Sequence, residues 1–212
     1  LGVSNSTFYQ NGATGGTGGD GGPGGVKGGA GGAGGSAIGG GIYNVGKIIV
    51  VNCTFSKGDA SGGDSGTGGS GVNGGRNGKA GASFGGNIAN VAKKKKTGFT
   101  LANSIVGAAT SGKGGYGTIK DGGYNLSADK SIKLKTKLGS LMNTNALDGG
   151  GDIADNGGPT ETIALADDSP AVDRIPLDLD GVPSIPPDID QRGIDRRIGN
   201  VFDVGSYEAD PN

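Results

Sequence analysis

Four carboxylates, Asp178, Asp180, Asp188 and Asp190, crowd into residues 178–190. Carboxylate and carbonyl oxygens are the ligands that hard cations such as calcium select, yet this spacing matches neither an EF-hand loop nor a nonapeptide calcium repeat. The segment therefore reads as a solvated acidic loop, and no metal is assigned to it. The run Lys93, Lys94, Lys95 and Lys96 is the densest cationic stretch, and such runs attract nucleic acid or anionic polysaccharide. A polysaccharide lyase would need Asp ligands for calcium converging with an Arg or Lys base on one strand face. The strand-like segments instead place Gly, Ser and Ala outward, so the lysines read as a solvated loop. With His 0 and Cys 1, the commonest general base, an intrachain disulfide and a thiolate-rich zinc site are excluded. No catalytic, cofactor-binding or metal residue is assigned, and the expectation is a non-enzymatic protein without cofactors.

Two other residue types need a reading. Asn5, Asn52 and Asn125 each begin an Asn-X-Ser/Thr triplet, the acceptor pattern for N-glycosylation. Asn5 and Asn52 fall in a predicted inward-facing column, where no glycan fits. Cys53 aligns with Ser6 and Ser104, and it reads as a small core filler.

The elements that carry these residues are repeated. LGVSNSTF at Leu1, IIVVNCTF at Ile48 and FTLANSIV at Phe99 align on Asn5, Asn52 and Asn103. Leu1, Ile48 and Phe99 then share a column, as do Val3, Val50 and Leu101, and Phe8, Phe55 and Val106. Intervening positions are small, β-branched or polar, the period-two pattern of strands with one buried face. The phase changes at the Asn, which predicts a bend and an internal ladder of Asn side chains. A second repeat, AIGGGIYNVG at Ala37 and SFGGNIANVA at Ser83, places Ile42 over Ile88 and Asn44 over Asn90. Two strand types recurring in fixed order are what successive coils of a solenoid produce. The expected fold is all-β, a right-handed parallel β-helix over residues 1–120, the hand following from the chirality of parallel crossovers.

Glycine-rich insertions leave this framework after the same strand, at about 14–35 and 58–81. The first is nearly a perfect Gly-Gly-X triplet, a period that suits a polyproline-II-type helix with three residues per turn. Bare faces let such legs approach closely and exchange backbone hydrogen bonds. The expectation is adjacent ordered projections, which Val at Gly22 or Gly32 would disrupt.

Composition agrees with a thin, elongated core: hydrophobic residues make up 32% and aromatics 5%, while Gly 51 must be structural or disordered. No apolar stretch reaches the roughly 18 residues of a membrane span. The sequence opens inside a strand-like run with no initiator Met or leader, as expected of a mature or partial chain. Most Lys and Arg lie before Leu147 and most Asp and Glu after it, so one end is expected to be basic and the other acidic.

From Asp121 the pattern changes to DGGYNLSAD, DNGGPTETIALADDSPAVD, DIDQRGIDRR and DVGSYE. In order and content these runs resemble the choice-of-anchor Q domain of bacterial surface β-helix proteins. The resemblance spans roughly Asp121 to Glu208 and implies a secreted or surface-displayed parallel β-helix with no known catalytic residues; the glycine insertions depart from it. Residues 121–212 are expected to form a cap over the last coil, with Arg192, Arg196, Asp203 and Glu208 pairing across its loops. The functional expectation is an extracellular structural protein that self-associates head to tail into a surface filament or scaffold. The alternatives are an adhesin that meets a surface glycan, a receptor or ice through its projections, and a polysaccharide lyase. No nucleic-acid partner is expected.

Overall fold

The computed structural model describes residues 1–93, 98–176, 186–197 and 201–209. It is essentially all-β, with helix limited to 3% of the chain, and its main sheets are parallel. The strands fall into tiers that follow the sequence repeats. The first tier contains β1 (Gly2–Ser4), β2 (Thr7–Tyr9), β3 (Gly12–Thr14), β4 (Ala37–Ile38) and β5 (Ile42–Asn44). The second repeats that order as β6 (Lys47–Val51), β7 (Thr54–Ser56), β8 (Asp59–Ser61), β9 (Ser83–Phe84) and β10 (Ile88–Asn90). The third holds β11 (Gly98–Ala102), β12 (Ile105–Val106) and β13 (Gly115–Gly117). Next come β14 (Ile119–Asp121), β15 (Leu126–Ser127) and β16 (Leu141–Met142), then an antiparallel pair, β17 (Ile175–Pro176) and β18 (Val201–Phe202).

Tiers stack in parallel register. The sheet orders are β1-β6-β11-β14, β2-β7-β12-β15-β16 and β5-β10-β13, with β3-β8 and β4-β9 as shorter ladders. The aligned columns meet: Val50 lies between Val3 and Leu101, and Phe55 between Phe8 and Val106. Ile88 pairs with Ile42 on one side and Gly115 on the other. These inward residues, with Phe99 and Ile119, form one apolar cluster. Fully burying a side chain such as Phe55 contributes about 1.5–3 kcal/mol.

Between the first two strands of each of the first three tiers the chain turns at Asn5, Asn52 and Asn103, with φ of 46°, 47° and 49°. This left-handed conformation is one that Asn tolerates better than most residues, and it changes the inward phase as expected. The expected side-chain ladder is not at these bends. Asn5 Nδ2 donates to the Ile189 carbonyl at 2.5 Å, and Asn52 Nδ2 to the carbonyls of Asp203 and Gly205 at 3.4 and 3.3 Å. The bend turns these amides toward the carboxy-terminal segment, whose backbone supplies the acceptors. An Asn-to-Asn bond forms instead at the ends of β5 and β10, where Asn44 Nδ2 donates to Asn90 Oδ1 at 2.8 Å.

The carboxy-terminal region divides where a single cap was expected. Ile132 and Leu134 enter the inner cluster, and Gly115 has no side chain where Ile132 sits. The rest lies against the outer face of the second sheet. There one column changes along the stack from Thr7 and Thr54 to Ile105, Leu126 and Leu141. The apolar members pack with Ala146, Leu147, Ile163, Leu165, Ile175 and Phe202 in a second core. Residues 186–197 and 201–209 reach back along this flank to the first tier, where Thr7 Oγ1 donates to Gln191 Oε1 at 2.7 Å. Parallel pairing also continues past residue 120, through β15 and β16.

Candidate functional site

The glycine-rich insertions form the most distinctive feature of the molecule. Residues 15–25 run out from the first tier and 28–36 return; 62–71 run out from the second tier and 74–82 return. Gly15, Gly18, Gly21 and Gly24 each donate to the second-tier carbonyls of Ser61, Asp64, Thr67 and Ser70 at 2.8 Å. Gly29, Gly32 and Gly35 donate to Gly22, Gly19 and Gly16 within the first layer, at 2.9, 2.7 and 2.7 Å. Gly63, Gly66 and Gly69 donate up to Gly35, Gly32 and Gly29, while Gly75, Gly78 and Gly81 donate to Gly69, Gly66 and Gly63, all at 2.8 to 2.9 Å. A bond at every third residue is what a three-residue turn without internal hydrogen bonds requires of its neighbours.

Close approach sets where glycine is needed. A Cβ at Gly18, Gly28, Gly66 or Gly78 would fall on a carbonyl oxygen of another leg, Gly32, Gly69, Gly19 or Gly32 respectively. The expectation for Gly22 fails, because a Cβ there meets nothing within 4 Å; at Gly32 it meets Gly19 backbone atoms at 3.1 and 3.2 Å, tight rather than impossible. Gly16, Gly19, Gly22 and Gly25 all point into open space. The second layer treats an open column differently: Asn77 and Ala80 carry side chains in the column of Gly74, where a Cβ meets nothing closer than 4.0 Å. Asn77 Oδ1 accepts from Gly68 N at 2.8 Å, and Ser83 Oγ from Gly62 N at 3.0 Å.

The legs also carry charge. Asp20 Oδ1 accepts from Thr67 N and Oγ1, both at 2.7 Å, and these bonds hold the carboxyl below its usual range. Lys27, Arg76 and Lys79 stand on the returning legs, so the outgoing and returning sides differ in sign. Val26 and Val72 occupy the tips, 72% and 84% exposed.

A polar node ties the carboxy-terminal motifs together. Arg196 is fully buried; its Nη1 donates to Glu208 Oε2 at 2.8 Å and its Nη2 to the Gly205 carbonyl at 2.9 Å and Asn5 Oδ1 at 3.1 Å. Asp190 accepts from Arg192 Nε at 2.8 Å and from Glu208 N at 3.0 Å. The Arg192 guanidinium lies 3.8 Å from the centre of the Tyr207 ring. Burial, then the nearby Asp203 carboxylate, pushes Glu208 up to about 8 against the opposing pull of Arg196. The pairing expected among Arg192, Arg196, Asp203 and Glu208 is thus present as Arg196 with Glu208, while Arg192 takes Asp190. Asp203 instead accepts backbone bonds from Asp173 at 2.7 Å and Ala209 at 2.6 Å. The node braces loops.

The other residues considered from the sequence do not converge. Asp188 pairs with Arg197 and Asp190 with Arg192, while Asp178 and Asp180 lie outside the described residues. Among the described residues no group of His, Cys, Asp or Glu is placed to hold a metal ion. Lys94, Lys95 and Lys96 also lie outside them. Asn52 and Asn125 are fully buried, so neither side chain is open to glycosylation in the folded chain. Cys53 is buried, its Sγ 3.4 Å from the Val51 carbonyl, and burial pushes the thiol up to about 12. It is a core residue, stacked with Ser104, whose Oγ accepts from Cys53 N at 3.1 Å. The residues missed from sequence are Asn77, whose side chain takes the Gly68 amide, and Ala80; their interruption of the Gly-Gly-X triplet was the available signal.

No described helix is long and apolar enough to cross a membrane. In comparisons with known proteins, no family model, no curated protein and no solved structure matches the chain.

Proposed function

We propose that this chain is a non-enzymatic extracellular structural protein, a right-handed parallel β-solenoid that self-associates through its glycine-rich layers. The observation that carries this reading is the open column of Gly16, Gly19, Gly22 and Gly25. The β3–β8 register, Thr14 over Ser61, makes Gly16, Gly19 and Gly22 the counterparts of Gly63, Gly66 and Gly69. In the second layer those glycines donate to the layer above and have no room for a side chain. In the first layer the same positions stay glycine where no atom needs the space, although glycine carries the largest entropy loss on folding. A further Gly-Gly-X layer fits there, and the same face of a second copy supplies one. The second layer, where Asn77 and Ala80 replace glycine in the column of Gly74, does not repeat this surface. The favoured contact therefore joins like faces, in contrast to the head-to-tail stacking expected from the charge asymmetry. β1, β2, β3 and β5 each pair on one side only among the described residues, which leaves a row of backbone groups beside the glycines as a template for more pairing. The likeness of the carboxy-terminal motifs to the choice-of-anchor Q domain supports an extracellular, surface-associated setting.

Sedimentation velocity across a concentration series tests the reading. Wild type self-associates, whereas Gly19→Val, whose Cβ meets nothing in the single chain, stays folded and monomeric. A wild type that is monomeric at every concentration overturns it.

A second reading, a monomeric adhesin, is favoured by the ordered legs that hold Val26 and Val72 exposed at their tips. Under it, Val26→Asp with Val72→Asp abolishes surface attachment and leaves the sedimentation coefficient unchanged.

A further inference from the structure

A second surface lies at the other end of the strand stack, away from the glycine legs. Ile132 and Leu134 point into the inner core, so Lys133 and Lys135, which alternate with them, are exposed. Lys135 has φ −115° and ψ 113°, an extended backbone, and alternate residues of such a chain stand about 7 Å apart. This lysine row forms one wall of a cleft of about 420 Å³ whose other wall is β14 and the turn before it. Lys120, Lys133 and Lys135 line it, with Thr118, Ser131 and Asp121.

Asp121 forms no ion pair with these lysines, because its oxygens are turned to other donors. Its Oδ1 accepts from Gly123 N at 3.0 Å, Asn125 Nδ2 at 2.8 Å and Ser140 Oγ at 2.9 Å, and its Oδ2 from Lys135 N at 2.7 Å. The last bond fixes the lysine row against the strand, so the carboxylate positions the wall that carries the cations. Among the described residues Lys120, Lys133 and Lys135 form no ion pair, since the salt bridges there involve Lys57, Arg192, Arg196 and Arg197.

We propose that this cleft and its lysine row bind an acidic polysaccharide. Three lysines lining one cleft form a field that draws a polyanion, and each acts as a compact point charge suited to carboxylate or sulfate. The exposed Thr118 hydroxyl supplies a polar contact for a sugar ring, while Ser131 Oγ, which accepts from Gly115 N and donates to Asp129, holds the wall in place. No aromatic residue lines the cleft, so it lacks the stacking platform on which single-stranded nucleic acid binding depends. The volume admits part of a polymer, and Lys137 lies exposed in the 3-10 turn that follows the row. Such a contact would hold the protein on an acidic surface matrix, independently of self-association through the glycine layers.

The test is isothermal titration of the whole chain with polygalacturonate, dextran sulfate, neutral dextran and oligothymidine. Polygalacturonate or dextran sulfate binds, which tells carboxylate from sulfate recognition, and affinity falls more than about tenfold from 50 to 200 mM salt. Lys133→Glu with Lys135→Glu lowers that affinity at least tenfold without moving the melting temperature, and Lys120→Gln on β14 lowers it less. Lys79→Glu on the glycine legs leaves it unchanged. Equal binding of neutral dextran, tighter binding of oligothymidine, or wild-type affinity in the Lys133/Lys135 double variant overturns the proposal. None of these outcomes alters the sedimentation result for Gly19→Val.

Discussion

The Phe8 ring lies flat on the Phe55 ring, with centroids 4.6 Å apart and planes inclined by 9°. This contact joins the first tier to the second, and Val106 covers Phe55 from the third. Phe55 is therefore surrounded, whereas Phe8 remains partly exposed. Phe55→Ala should cost about 3–5 kcal/mol, the range for an aromatic removed from a core, read as a drop in urea midpoint. Phe55→Asp should give no cooperative thermal transition at all, because a charge in so thin a core has no partner. A soluble Phe55→Asp protein with a sharp melt would show that the column is not buried in solution.

Much of that column was legible beforehand because its signal is additive. Three aligned runs place the same apolar residues at the same offsets from Asn5, Asn52 and Asn103, and parallel stacking converts equal offsets into contacts. The outer core was not legible, because Ile105, Leu126 and Leu141 gain meaning only when a distant segment covers them. The bend at each Asn was predicted correctly, whereas the Asn ladder was expected at the bends and is found instead between Asn44 and Asn90. Its position depends on which way a left-handed residue turns its side chain, and on acceptors supplied from residues 189–205. The legs were anticipated from their triplet, but the choice between Gly18 and Gly22 as the crowded position required the register of four chain segments.

That register separates two kinds of glycine. Gly66→Val would drive a Cβ into the Gly19 carbonyl, so amide protection across 63–69 should be lost and the melting temperature should fall. Gly22→Val, with open space around its Cβ, should keep the stability of the single chain within about 0.5 kcal/mol. Hydrogen exchange on both variants checks this, provided it is done at a concentration where wild type is monomeric. Equal loss of protection in the two would mean that the legs do not hold this arrangement.

Arg196 is the largest fully buried side chain, and its bonds to Glu208, Gly205 and Asn5 join the last motif to the first tier. Removing one partner of a buried pair costs more than the pair contributes, because the remaining group is left unpaired. Arg196→Met should destabilise by about 3–5 kcal/mol near pH 9, where Glu208 is charged and would be left unpaired. The loss should be smaller at neutral pH, where Glu208, raised to about 8, is largely protonated; urea unfolding at the two pH values measures this. The double variant Arg196→Met with Glu208→Met should recover part of that loss. No recovery would mean that the guanidinium acts through its backbone bonds rather than through the carboxylate.

Glu208 supplies a pH dependence whose sign is opposite to that of an exposed, paired carboxylate. Burial and the Asp203 carboxylate raise it to about 8 from an ordinary value of 4.5, outweighing the pull of Arg196. A raised carboxyl binds its proton more tightly in the folded chain, so folding is favoured where that proton is retained. The contribution is complete below about 4.5, declines across the interval in which only the folded state stays protonated, and is gone once pH passes about 8. Asp203, also raised by burial, acts in the same sense. The urea midpoint should accordingly fall between pH 5 and pH 9, and Glu208→Gln, which keeps the shape and removes the titration, should flatten that fall. The carboxylates held low, such as Asp152 beside Lys57 and Tyr9, lose their contribution only on acidification, so they do not mask the trend above pH 5. A wild-type midpoint that rises steadily from pH 5 to pH 9 would place Glu208 in its charged form throughout, with the Arg196 ion pair outweighing burial.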